Sequence, residues 1–229
     1  MSKEFVMVRR HVHGCADRRG DDGLWIKTWR SRSPGQIVTN HTRAHGLWSK
    51  VERRTQDGGL FQRANPAYIG TKNGFANFQE FAEWCQFQPG YLEIDENGNS
   101  WEIDKDILVK GNKVYSPVNC CFVPRRINSL FTSCRSARGH LPLGVTLVKR
   151  TGNYRAYCNS GGTLKHLGMY DCPLDAHRAW QEEKIHVIGL AAMEYDAMPG
   201  SRGLVVDALL GRAQMIFNDI HANRVTVEV

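Results

Sequence analysis

The sequence has no apolar run approaching the roughly 20 residues that a membrane-spanning helix requires. Its opening stretch, Met1 to Gly14, carries charges and no hydrophobic block, unlike a secretory signal. A cytoplasmic protein is the expectation. The seven cysteines are an odd number and none sits in a C-x-x-C pair. That argues against a disulfide framework and points to reduced thiols. Cys120 and Cys121 are adjacent, which suits neither a mutual disulfide nor a zinc knuckle, so they read as core residues. A zinc site built from Cys85, Cys134 or the histidines is the alternative. Internal repeats and low-complexity tracts are also missing.

What is present is a folded composition with a basic excess. Of 229 residues, 41% are hydrophobic, enough for a buried core. Lys and Arg number 30 against 23 acids, a formal charge of +7. A polyanion is the expected partner. Arginines crowd the first quarter, at Arg9, Arg10, Arg18, Arg19, Arg30, Arg32, Arg43, Arg53 and Arg54. Their forks suit phosphate oxygens, or they bridge to Asp17, Asp21 and Asp22.

Patterning divides the chain into a basic, irregular segment 1–45, a domain 46–135, a domain 139–195 and a helical tail 196–229. Trp25 and Trp29 are expected to anchor the first segment. Leu47, Trp48 and Val51 share one face of a helix ending near Arg54, and Phe78, Phe81, Ala82 and Cys85 mark another, closed by Pro89-Gly90. Strands are predicted from Trp101 to Ile107 and from Cys120 to Val123, then a helix from Pro124 through Asn128 to Phe131. Three further strands, Val145 to Lys149, Tyr154 to Cys158 and Leu164 to Gly168, precede a helix from about Pro173 to Met193 with Asp171 as its N-cap. A last helix is predicted from Leu204 to Phe217. The fold class is α+β.

The segment Trp101 to Phe131, WEIDKDILVKGNKVYSPVNCCFVPRRINSLF, resembles the ββα-metal core of HNH endonucleases, in the form found in phage homing endonucleases. The stretch before it, with Trp48, Pro66-Ala67-Tyr68 and Phe75 to Trp84, fits the same family, and Asn112, Tyr115, Ser116 and Pro117 fit between the strands. The likeness spans about Leu47 to Tyr195. It implies that Asp104 and Asn128 hold a metal, Mg²⁺ or Mn²⁺, that Asn119 orients the reacting groups, and that position 105 carries the general base. Here that position is Lys105 and not the family's histidine. Lysine is a poor base unless desolvated. It could instead hold a phosphate or steady transition-state charge. Strand alternation would put Glu102, Asp104 and Asp106 on one face and Lys105 on the other, unless the strand ends or bulges there. Those three acids could alternatively form a metal cluster.

Residues Gly144 to Ala192 resemble the AP2 type of DNA-binding domain, through Gly144-Val145, Tyr154-Arg155-Ala156, Leu167-Gly168 and Asp171 with Asp175 to Trp180. That likeness implies a three-stranded antiparallel sheet entering the major groove of double-stranded DNA, with a helix behind it. Val145, Leu147, Tyr154, Ala156 and Cys158 should then meet the helix. Thr146, Arg150, Arg155, Tyr157 and His166 should face DNA, and Lys149 and Lys165 should reach phosphates. His177 is expected on the helix surface. Together the two likenesses imply a sequence-specific, metal-dependent DNA endonuclease. The alternatives are a DNA-binding protein of the same descent disabled at Lys105, or an interaction protein acting through segments 1–45 and 197–229.

Overall fold

The structure, a computed structural model, describes residues 43–131, 139–160 and 162–229, plus the backbone of four short strands nearer the start. Those strands pair as two antiparallel hairpins, β1 (Asp17–Arg19) with β2 (Trp25–Lys27) and β3 (Arg30–Ser33) with β4 (Gln36–Thr39). The side chains of Trp25, Trp29 and the arginines before Arg43 lie outside the described residues, as does Cys134.

The described chain is mixed α+β, with small sheets rather than one large one. Helix α1 (Arg43–Thr55) begins four residues ahead of the predicted start and buries Ala44, Leu47 and Val51, a single stripe at helical spacing. A short α2 (Leu60–Ala64) and a 3₁₀ turn (Pro66–Tyr68), neither expected, lead to β5 (Lys72–Asn73). Helix α3 (Phe78–Gln86) opens on a reciprocal cap. Asn77 Oδ1 accepts from Glu80 N at 3.0 Å, and Glu80 Oε2 accepts from Ala76 N at 2.5 Å. Past α3, Gly90 adopts φ +83°, and a Cβ there would lie 2.4 Å from the Trp101 ring. Only glycine lets the chain turn this closely over that buried indole.

Strand β6 (Glu102–Asp104) pairs antiparallel with β8 (Cys121–Val123), placing Glu102 opposite Val123 and Asp104 opposite Cys121. Between them, β7 (Val114–Tyr115) pairs in parallel with β5. Helix α4 (Arg125–Asn128) follows Pro124. Strand β6 stops at Asp104, short of the predicted Ile107. The cause is local: Asp104 Oδ1 accepts the backbone N–H groups of Asp106 and Ile107, both at 2.7 Å, which folds the chain out of the ladder. Phe75, Phe81, Trp84, Tyr91 and Phe122 pack beneath this hairpin, ring to ring. Cys85, Cys120 and Cys121 are buried in the same core.

A second layer begins at β9 (Val145–Leu147), β10 (Tyr154–Ser160) and β11 (Thr163–Tyr170), an antiparallel sheet of order β11-β10-β9. Its register slips between Ala156 and Tyr157. Helix α5 (Pro173–Asp196) packs across one face, burying Val145, Ala156 and Ala176 together. Helix α6 (Gly203–His221) lies against α5 and contributes Val205, Leu209 and Ile216 to a buried apolar cluster that continues back to Ala44. Among the described residues, no helix is long and apolar enough to cross a membrane.

Three details differ from expectation. Cys172, not Asp171, occupies the N-cap of α5, and Asp171 instead accepts the Asn153 side-chain amide. Leu147, expected to be covered by the helix, is exposed at the end of β9. His177 is buried, not on the surface. Its Nδ1 faces Leu143 O at 2.8 Å and its Nε2 accepts Thr226 N at 3.0 Å. A neutral imidazole has one donor and one acceptor, and these two partners use both.

Candidate functional site

Because β6 ends at Asp104, strand alternation lapses there. Asp104, Lys105 and Asp106 all border one cavity of about 460 Å³, together with Asn128 from α4, Arg54 from α1 and Arg212 from α6. Tyr68, Phe131 and Tyr115 supply apolar walls, and Lys110 and Lys113 stand at the rim.

The acids and amides of the cavity are fixed by hydrogen bonds. Asp104 holds its own turn through Oδ1. Burial, and secondarily the charge of Asp106, raise its carboxyl to about 6. Asn128 Nδ2 donates to Glu102 Oε2 at 2.5 Å. A carboxylate can only accept, so this contact fixes the amide with its nitrogen toward Glu102 and leaves Oδ1 available. Lys105 is buried, and its Nζ donates to Asp106 Oδ2 at 3.1 Å. Asn112 Nδ2 holds the carbonyls of Lys105 and Val114, at 2.6 and 2.7 Å. Asn119 does not reach the cavity itself. Its Nδ2 donates to Asn112 Oδ1 at 3.3 Å, one step behind the Lys105 backbone.

Of the four residues expected at the reacting centre, Asp104, Lys105 and Asn128 therefore share the cavity, and Asn119 supports it through Asn112. Glu102 is engaged by Asn128 rather than by a cluster with Asp104 and Asp106. No three His, Cys, Asp or Glu side chains converge as a metal group among the described residues. Burial pushes the Cys120 thiol up to about 12 and raises Cys85 and Cys121 as well, so these core cysteines stay protonated.

The last residues of the chain border the same space. Lys110 Nζ donates to Glu228 O at 2.9 Å. Thr226 is buried, its hydroxyl between Gln181 Nε2 and Asp219 Oδ2, each at 3.0 Å. The residue that reading by local pattern missed is Arg212. It carried one signal: Val205, Leu209, Arg212 and Ile216 follow the buried stripe of α6, and an arginine on such a stripe faces a partner in the interior.

On the sheet, the outer face carries a second concavity lined by Arg150, Arg155, Tyr157, His166, Leu164 and Met169. Thr146 pairs with Arg155 across β9 and β10 and so shares that face. Lys149 is exposed beside the adjoining turn. Lys165 lies on the opposite face. It pairs with the inward Cys158, and its Nζ meets Glu183 of α5 at 2.9 Å. Neighbouring residues of one strand cannot share a face, so His166 and Lys165 part company there.

Compared with protein-family models, curated proteins and solved structures, the chain matches none.

Proposed function

We propose that the protein is a metal-dependent DNA endonuclease of the HNH homing type, with a ββα-metal core at β6, β8 and α4 and an AP2-like reader at β9 to β11 and α5. The observation that carries this reading is that Asn128 of α4 borders the same cavity, walled by cations, as the sequence-distant neighbours Asp104 and Lys105. The donor set fits a hard cation. Asp104 and Asp106 offer carboxylate oxygens and Asn128 offers an amide oxygen, and Mg²⁺ needs only one or two carboxylates besides water and substrate phosphate. Burial, and after it the charge of Asp106, raise the Asp104 carboxyl, and a bound cation would offset both. When bound, Mg²⁺ or Mn²⁺ would neutralise charge on the leaving phosphate oxygen.

The protein's own groups divide the remaining work. Asp104 and Asn128 would hold the cation. Glu102 holds Asn128 in one orientation. Asn119, through Asn112, fixes the backbone at Lys105. Lys105, tied to Asp106, keeps a positive charge beside the acids for a phosphate oxygen to approach. On the sheet, Thr146, Arg150, Arg155, Tyr157 and His166 would read double-stranded DNA, with Lys149 on a phosphate.

A second reading has its own support. Among the described residues no histidine borders the cavity, and the Lys105 amine is engaged by Asp106, so none of them stands out as a general base. On this reading the protein binds DNA without cutting it. Incubating the full chain with phage-sized DNA and Mg²⁺ or Mn²⁺ separates the two. Metal-dependent strand scission, abolished by EDTA, supports the endonuclease. Salt-sensitive binding with intact DNA under both metals supports the binder.

A further inference from the structure

Two arginines enter the cavity from outside the β6–β8–α4 unit, and the reading above gives neither a role beyond its charge. Arg212 is only 6% exposed. Its Nη2 donates to the carbonyls of Asp106 and Ile107, the latter at 2.8 Å, and its guanidinium lies 4.3 Å from the Phe131 ring centroid. Arg54 donates from Nη1 to the Tyr115 hydroxyl at 3.0 Å and lies 5.3 Å from the Tyr68 ring centroid, while its buried Nε has no hydrogen-bond partner. Among the described residues, neither arginine has a carboxylate within 4 Å.

This arrangement is costly if it is purely structural. A neutral amide would serve two carbonyls or a phenol equally well, whereas a guanidinium withdrawn from water needs a compensating charge. Each guanidinium has five N–H donors in a rigid plane; Arg212 commits Nη2 and Arg54 commits Nη1, and the remaining donors of each are uncommitted among the described residues. A tetrahedral oxyanion is the ligand class that such donors recognise, through paired charge-assisted hydrogen bonds.

We propose that Arg54 and Arg212 form a two-armed clamp for a single backbone phosphate of DNA, held over the Asp104–Asp106 pair. The clamp rests on the phosphodiester reading of the cavity and adds to it that α6 is part of the working site. It places α1 and α6 on either side of the phosphate and adds two guanidinium groups to the Lys105 ammonium. The positive charge around the phosphate then comes from groups that cannot lose a proton at neutral pH.

The test uses the intact chain labelled with ¹⁵N at arginine. Inorganic phosphate and, separately, a short DNA duplex are titrated while the side-chain Nε–Hε resonances are followed, with Arg54→Lys and Arg212→Lys assigning the two signals. The clamp predicts that duplex shifts both resonances at concentrations where free phosphate leaves them still. It also predicts that each lysine variant, which keeps the charge but loses the fork, binds duplex at least tenfold more weakly. Resonances unmoved by duplex, or shifted by phosphate alone, overturn the proposal. So does a well-folded Arg212→Lys protein that binds DNA as tightly as the wild type. If the wild-type chain cuts no DNA, the endonuclease reading falls, but the titration still decides the clamp.

Discussion

Asn128 and Glu102 meet across the hairpin and helix at 2.5 Å, amide nitrogen to carboxylate oxygen, a side-chain bond that ties α4 to β6. It sets which atom of the Asn128 amide is left for the cavity. Asn128→Asp would set two carboxylates against each other. The expected result is a loss of roughly 1–3 kcal/mol of stability in denaturant unfolding at pH 7. The loss should shrink as the pair is protonated at low pH. A variant as stable as wild type at pH 7 would mean that the contact does not form.

The pH dependence of Asp104 follows from its raised carboxyl. Its folded value, about 6, lies above the ordinary aspartate value. The group therefore favours folding below the ordinary range, and that contribution is lost as pH rises through 6. Asp104→Asn should stabilise the metal-free protein at pH 7.5, on the order of 2 kcal/mol, and change little at pH 4. Thermal unfolding at both pH values checks this, and equal effects at both would contradict it. For the wild type, Mn²⁺ affinity should rise with pH across the same window as the cation displaces a proton.

On the sheet, Arg155→Ala should weaken specific DNA binding by roughly 1–3 kcal/mol, as expected for a base-edge contact. Lys165→Ala should have a smaller effect, because its ammonium is paired with Glu183 on the helix side. Fluorescence anisotropy with a selected target duplex measures both. The reverse ranking would place the DNA on the wrong face.

Gly144 is held at φ +74°, and a Cβ there would lie 2.1 Å from Trp180. Gly144→Ala should cost roughly 2–4 kcal/mol, from backbone strain and overpacking together. A denaturant midpoint unchanged from wild type would show that the Trp180 ring can move aside.

The helices and strands after residue 43 were legible where local signals were strong: the aromatic face of α3, the turn between β9 and β10, and the proline that opens α5. The joint placement of Asp104 and Lys105 was readable only as a condition, that the strand must end there. What ends it is the side chain of Asp104 capturing its own backbone, an effect that alternation alone does not carry. Lys165, expected to reach phosphates, stands on the helix side beside Glu183, because strand neighbours alternate faces. The partners of Arg212 and of the buried His177 were not legible, because they lie 105 or 106 and 34 or 49 residues away in sequence. Long-range pairing of this kind is a property of packing, not of a window.

The most direct measurement of the central claim pairs a cleavage assay with a binding assay on one variant. Wild type and Asp104→Ala are each incubated with double-stranded DNA and Mn²⁺, and affinity is read in parallel without metal. The account predicts that Asp104→Ala binds within a few-fold of wild type and cuts nothing, while wild type cuts. A variant that still cuts at the wild-type rate would remove this cavity from the chemistry.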